Sequence, residues 1–514
     1  MKKIFSVILS FIMMVTMLAF VACGDTGEKN GDTVTIRVDL HGWRPTEFSE
    51  STSTTKAYNS PKYIAAAFEE LHEGKVKIEW VREKNLMMSR EDVSNWFTMA
   101  TATQNCPAIA FTWGTTFQDR GWYVDLTDYL EETNSYETAS DLAGKKWKDS
   151  FADYIWDLDA IRTYDDKIVA IPITLFAGSS SVVMYNTETM PGGQDGTIGM
   201  EEGFSWQDYV TTAKEVMQAD PQNLVDGENY PIGASSWLMQ FNLGPAYKSA
   251  AWNYVDPELG RTMDIDGDGK ISGQETLQGV VDGFFNPVTK DYAREMFMKI
   301  KEYASLLTDI NKDSSKWEAG TGVMKYTGSW VYTPEVETNR GFEWKMVPTP
   351  VEDDSEYTKD YVTWGTFEEA KPGVDLYLNI MRAGVTKNGK FDGEIDEDKL
   401  YYAVEFLKYL TTRAANNSMI RESNTSIGAV KGTTLPAWLT DEDCTYKDCL
   451  FAQTEAVDSW PTGFVTEVTS QMDTVISKWI SGNISDSEFF TQWNDLQVEG
   501  AQKMAVSLNI VLDD

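Results

Sequence analysis

The chain has almost no histidine. Of its 514 residues only His41 and His72 are histidines, so a zinc hydrolase or a Ser-His-Asp enzyme has nearly nothing to be built from. Cysteine is scarce too: the four are Cys23, Cys106, Cys444 and Cys449, with no Cys-x-x-Cys pair and no Cys/His cluster, which removes the usual zinc ligand sets. Basic residues are in deficit, 44 against 80 acidic, and a formal net charge of -36 repels nucleic acid and anionic lipid surfaces alike. No internal repeat and no long low-complexity segment interrupts the chain. What is present is the balance of a folded soluble protein, 42% hydrophobic and 24% charged, at a length too great for one ordinary domain. Two lobes are therefore expected.

Residues 1–22 have the pattern of a targeting segment. Lys2 and Lys3 form a basic end, and the apolar run Ile4 to Ala22 is interrupted only by Ser6, Ser10 and Thr16. The run closes on Phe20-Val21-Ala22-Cys23, which resembles a bacterial lipobox, where the cysteine sulfur carries a diacylglycerol and the preceding segment is removed. An uncleaved membrane anchor is the alternative for a run of this length. Either way the remaining chain lies outside the membrane, joined to it through residues 23–32, a polar tether without an apolar residue after Cys23. Outside the cell a disulfide is permitted, and Cys444 and Cys449 are close enough in sequence to form one.

After the tether the hydrophobic period alternates between two and 3.6 residues. Val34 to Leu40 has a strand pattern, Asn59-Ser60-Pro61 opens a helix whose Ile64, Ala67, Phe68 and Leu71 share a face, and Val76, Ile78 and Trp80 alternate along a second strand. A helical stretch from Asp92 to Gln104 and an apolar strand from Ala108 to Trp113 complete β-α-β-α-β. That order predicts an open α/β sheet with ligand in the crevice beyond the carboxyl ends of its strands.

The succession of motifs resembles the extracellular solute-binding proteins of sugar ABC importers, the maltose-binding group among them. The resemblance is carried by Tyr63 to Leu71 with Lys75 to Val81, by Pro107 to Leu126, by Lys167 to Asn186, by Phe204-Ser205-Trp206, by Gly320 to Trp330 with its Gly-Ser-Trp ending, by Val347 to Pro350, and by the helix Leu400 to Leu410. It implies an α/β fold of two lobes closing like a clamshell, with lobe one formed by 33–175 and 380–440 and lobe two by 176–379 and 441–514. It also implies a monomer that binds a carbohydrate without chemistry and hands it to the permease subunits of an ABC transporter, touching the membrane only through its lipid.

Flat aromatic faces suit the C–H side of a pyranose, and the 18 tryptophans supply them. The resemblance places Trp330 and Trp460 at pocket positions, and the crevice rule adds Trp113 at a strand end and Trp43 with Arg44 after the first strand. Trp237 and Trp364 complete the candidate set; for each, packing in a core is the competing role. The sharpest local motif is Asp264 to Glu275. It matches a twelve-residue calcium loop, with carboxylates from Asp264, Asp266, Asp268 and Glu275, the Lys270 carbonyl, Ser272 acting through water and Gly269 at the turn. Pro257 and Gly260 break any helix leading into it, so a lone structural loop holding Ca²⁺ is expected rather than a paired sensor. The rival readings are a secreted glycoside hydrolase, for which a carboxylate pair among 80 acids carries no weight, and a binding protein for a peptide or polyamine.

The anchor is tested directly. Cys23→Ser is expected to abolish metabolic lipid labelling and leave an uncleaved precursor or a protein released from the membrane fraction; equal labelling of variant and wild type contradicts the anchor.

Overall fold

A computed structural model describes residues 33–40, 59–81, 90–176, 182–190, 205–219, 224–225, 233, 236–307, 315–328, 341–348, 355–359, 361, 370–423, 426–436, 439 and 459–513. Its strands, in chain order, are β1 (Val34–Asp39), β2 (Val76–Trp80), β3 (Ile109–Ala110), β4 (Ala170–Phe176), β5 (Val182–Asn186), β6 (Leu224–Val225), β7 (Met324–Thr327), β8 (Trp344–Pro348), β9 (Val374–Ile380) and β10 (Ser426–Gly428). They form a six-stranded sheet of order β10-β4-β9-β3-β1-β2 and a four-stranded sheet of order β6-β7-β5-β8.

In the first sheet β1 runs parallel to β2 and β3, as the β-α-β-α-β pattern requires, and Ile36 and Val38 of β1 are buried opposite Ile78 and Trp80 of β2. The helix Ser60–Leu71 joins β1 to β2 in sequence, with Pro61 in its first turn where a missing N–H costs nothing. Its open N–H groups are met from far along the chain: the Glu422 carboxylate accepts from Asn59 N at 2.6 Å and Ser60 N at 2.7 Å. Glu422 belongs to the helix Arg413–Ser423, so this cap ties the first helix of the sheet to a helix from its last third.

β9 and β4 run antiparallel at the centre of the sheet. Both are apolar nearly throughout, as strands buried on two faces must be. Pro172 removes one ladder donor from β4, and the register slips between Pro172 and Leu175. In the irregular stretch Thr174 Oγ1 accepts from Leu376 N at 3.1 Å; on the other edge of β4, Asn416 Nδ2 donates at 2.7 Å to the Ile173 carbonyl, which also accepts from Ala429 N at 3.3 Å.

The chain passes between the sheets at 176–182 and 348–374, and from the first core to the second between Leu439 and Trp460. Val183 and Tyr185 of β5 enter the second core while Val182 and Met184 join the first. The border expected at 380 is thus set too late. β9 already belongs to the first sheet from Val374, because its largely apolar run Val-Asp-Leu-Tyr-Leu-Asn-Ile pairs with β4 between Val374 and Asn379 and with β3 at Asn379 and Ile380. The second core is completed by the helices Asp291–Leu306, Thr466–Ile480 and Asp486–Leu508, around Phe297, Trp479, Phe489 and Trp493. Among the described residues no helix is long and apolar enough to cross a membrane.

The lobes also touch away from the crossings. Lys248, almost fully buried on the helix Leu243–Asn253, donates to Asp159 Oδ2 at 3.0 Å, and Lys270 reaches Asp157 Oδ2 at 3.3 Å. Tyr164 packs edge-on to Phe464, and Gly273 lies so close to Tyr164 that an added Cβ would fall 2.4 Å from its Cα.

Where β9 enters the first sheet, Asp375 Oδ2 accepts from Ser426 Oγ at 2.6 Å and Thr174 Oγ1 at 3.1 Å. Burial raises its carboxyl above the usual carboxylate range, against the lowering effect of these two hydroxyls. The folded state therefore holds this proton more tightly than the unfolded chain, and the group's contribution to stability is lost as pH rises from the ordinary carboxylate range through the raised folded value. Asp375→Asn, which mimics the neutral acid, is expected to melt higher than wild type at neutral pH, with the gap closing toward about pH 4. Parallel melting curves across that range test it, and a gap that widens on acidification contradicts it.

Candidate ligand-binding cleft

β3 pairs with β9 as Ile109↔Ile380 and Ala110↔Asn379, so the residues after Ala110 run toward the start of β9, the end at which the chain arrives from the second sheet. The carboxyl ends of the parallel strands therefore face the crossings, where a two-lobed α/β protein has its cleft. At this end stand Phe111, whose ring lies 5.0 Å from that of Tyr377, and Trp113, edge-on to Phe111 at 5.5 Å. Trp113 is half-buried, against the first core and the small cluster around Phe97, Phe117 and Trp122.

The backbone here is unusual. Trp113 has φ 55° and Gly114 φ 66°, a consecutive pair in the left-handed region, which a bulky side chain rarely enters. Gly114 is required for a second reason, since a Cβ on it would lie 2.0 Å from the Ala160 carbonyl oxygen. The turn is held from below by buried polar side chains. Thr112 Oγ1 lies 2.7 Å from Asn379 Oδ1, 3.2 Å from the Gly114 carbonyl and 3.0 Å from the Tyr123 hydroxyl. Asn379 Nδ2 donates to the carbonyls of Gly114 at 3.1 Å and Val169 at 2.9 Å. Thr112 and Asn379 are fully buried, where an unmet amide or hydroxyl costs about 1–3 kcal/mol, so the set holds one geometry firmly. The far side of the loop is fastened by Thr115 Oγ1 on the Asp159 carbonyl at 2.5 Å and by Thr116 Oγ1 on the Trp113 carbonyl at 2.8 Å.

Of the aromatic candidates, Trp113 is the one whose side chain is described beyond the carboxyl end of β3, the end that faces the crossings. Trp460 lies elsewhere: it is 1% exposed, with its ring edge-on to Phe285 and Phe297 in the second core, so its place is that of a packing residue. Trp237 opens the short helix Trp237–Phe241, its side chain outside the described part. Trp43, Arg44, Trp330 and Trp364 lie outside the described residues, as do Cys23, Cys444 and Cys449. Thr112 and Asn379 were not among the sequence candidates, although Asn379 is a polar residue inside an apolar strand run, the one signal that points to it.

The calcium-loop residues come together in part. Ligand atoms of Asp264, Asp266 and Asp268 lie within 4.8 Å of one another. Asp264 accepts from Gly267 N at 2.7 Å and Gly269 N at 2.9 Å, which winds the loop around it. Glu275 is instead occupied as the third residue of the helix Gly273–Val281, closing a capping box with Ser272 and accepting from Ile265 N at 2.6 Å. Lys270 extends its ammonium to Asp157, away from the loop centre.

No family model and no curated protein matches the chain. Solved structures do. RafE from Streptococcus pneumoniae, also solved with raffinose, is 12% identical over 92% of this chain and 100% of that one, with a TM-score of 0.51. A chitin oligosaccharide binding protein is 14% identical over 92% and 100%, at TM-score 0.56. A cyclic alpha-maltosyl-1,6-maltose binding protein from Arthrobacter globiformis is 13% identical over 91% and 99%, at TM-score 0.52. With its two sheets, repeated crossings and strand ends turned toward the crossings, the chain has the two-lobed α/β clamshell fold of these solute-binding proteins.

Proposed function

We propose that this chain is the substrate-binding lipoprotein of an ABC importer, capturing an oligosaccharide outside the cell and delivering it unchanged to the permease. The observation that carries the proposal is the fold, shared over about nine-tenths of the chain with proteins named for raffinose, chitin oligosaccharide and cyclic maltosyl-maltose ligands. The half-buried aromatic at the cleft end of β3 supports a sugar over a peptide or polyamine, because an indole face suits a pyranose. The acidic surface suits a protein that stays soluble at the cell exterior. The lipid on Cys23 keeps it beside the permease, and binding needs no bond-breaking step.

A thermal-shift screen of the mature chain against raffinose, malto-oligosaccharides and chito-oligosaccharides tests this. At a hundredfold excess over the dissociation constant a true ligand adds about 2.7 kcal/mol to the folded state, a readily measured rise in Tm. Stabilisation by a peptide or polyamine, with none by any glycan, contradicts the sugar reading, and release of new reducing ends from a glycan contradicts the binder.

Calcium belongs to the same proposal as a structural ion. The donor set around Asp264, Asp266 and Asp268 is all oxygen, as a hard cation requires, and without a cation three carboxylates this close repel one another. Asp266→Ala is expected to remove a calcium-dependent gain in Tm while leaving the melting curve in chelator nearly unchanged. Glu275→Ala differs, because loss of its cap costs about 1 kcal/mol even in chelator. Wild-type curves that coincide with calcium and with chelator contradict the ion.

A further inference from the structure

We propose that Thr112 and Asn379 are positioning residues for ligand binding, holding the Trp113 indole in a left-handed backbone turn that presents it to the cleft. The inference rests on the carbohydrate reading above and adds to it the residues that set the stacking geometry.

The starting observation is the positive φ of Trp113. Six residues other than glycine have positive φ among the described residues: Glu73, Gln104, Trp113, Asp166, Phe464 and Asn509. Glu73, Gln104 and Asn509 follow the ends of helices, and Asp166 sits in a tight turn before β4, positions where the left-handed conformation is ordinary. The two aromatic cases differ from each other. Phe464 is 7% exposed and its ring packs against Tyr164 in the second core, so it has no face to offer a ligand. Trp113 is only half-buried, and its turn is secured by hydrogen bonds among the buried side chains of Thr112 and Asn379 and the Gly114 and Val169 carbonyls.

Each contact has a distinct effect. Asn379 Nδ2 bridges the Gly114 and Val169 carbonyls, fixing the turn to the start of β4. Thr112 Oγ1, flanked by Asn379 Oδ1, the Tyr123 hydroxyl and the Gly114 carbonyl, fixes the residue just before the tryptophan. The Tyr123 hydroxyl also accepts from Phe117 N at 3.1 Å, closing the loop on itself. Trp113 therefore stands between two anchored neighbours with its φ determined from both sides. Strained conformations that surrounding structure over-determines cluster at ligand clamps, where a fixed geometry is worth its cost. For stacking on a sugar, an indole already fixed in place loses less freedom on binding.

The test compares wild type with Thr112→Val, Thr112→Ser and Trp113→Asn, each titrated calorimetrically with raffinose, a malto-oligosaccharide and a chito-oligosaccharide and each melted without ligand. Thr112→Val keeps the shape but removes the hydroxyl; Thr112→Ser restores it; Trp113→Asn places a residue that tolerates positive φ at the strained position. The expected result is an affinity loss of about tenfold or more in Thr112→Val and Trp113→Asn, near-wild-type affinity in Thr112→Ser, and Tm values within a few degrees of one another. Thr112→Val binding as wild type does overturns the positioning role alone. So does an affinity loss that tracks a collapse in Tm and is not rescued by serine, since that is the mark of a purely structural residue. Failure of all three probes to bind wild type overturns the carbohydrate reading and the positioning role with it.

Discussion

The pairing of β4 with β9 is the constraint on which the rest of this molecule depends. One chain must feed two sheets, and it does so by leaving the first sheet at the end of β4 and returning to it at the start of β9, side by side. Long-range antiparallel pairing of two apolar strands buries both on two faces, and it brings residues roughly 200 positions apart into register, Leu175 opposite Val374. Every feature of the cleft is referred to this pair. β3 is aligned by β9, the Trp113 turn hangs from Asn379 on β9 and Val169 just before β4, and Asp375 sits where β9 begins.

The pair is also where the fold gives up regularity. Pro172 cannot donate, the register slips beside it, and the Thr174 hydroxyl accepts from Leu376 N where the ladder is irregular. A partly buried carboxylic acid, Asp375, stands nearby with its pKa raised by desolvation. Close to these irregularities the chain crosses between lobes, and a bulged, polar-patched strand end bends more readily than a flat ladder. The secondary contacts, Lys248 with Asp159 and Lys270 with Asp157, bind the lobes at another place, through ammonium groups of very different exposure. With Lys248 only 2% exposed, its partner matters more than the solvated pair at Lys270.

Much of this was legible in the sequence where the signal is local. The period-two runs at Val34 and Val76, the Pro-led helix at Ser60 and the helical stretch expected from Asp92 to Gln104 all appear within a residue or two of their expected places. The loop Asp264 to Glu275 is likewise local, and its three aspartates converge as the spacing implies. What the sequence hid is non-local. The border at 380 fell inside β9, because nothing in a seven-residue apolar strand says which sheet it will join. Trp460 was indistinguishable from a pocket aromatic until Phe285 and Phe297 were seen around it. Thr112 and Asn379 are 267 positions apart, and only the register of β3 on β9 brings them together. Glu275 shows the reverse case: one local motif, a capping box, competes with another, a metal loop, for the same carboxylate.

The central claim is that two lobes joined through β4 and β9 close on an oligosaccharide. A ligand shifts such an equilibrium only by its difference in affinity for the open and closed forms, so saturation with a true ligand must change the overall dimensions of the molecule. Small-angle X-ray scattering of the mature chain, with and without the raffinose, malto- or chito-oligosaccharide that raises its Tm most, measures this directly. The account predicts a smaller radius of gyration at saturation; an unchanged radius of gyration with the sugar demonstrably bound contradicts it.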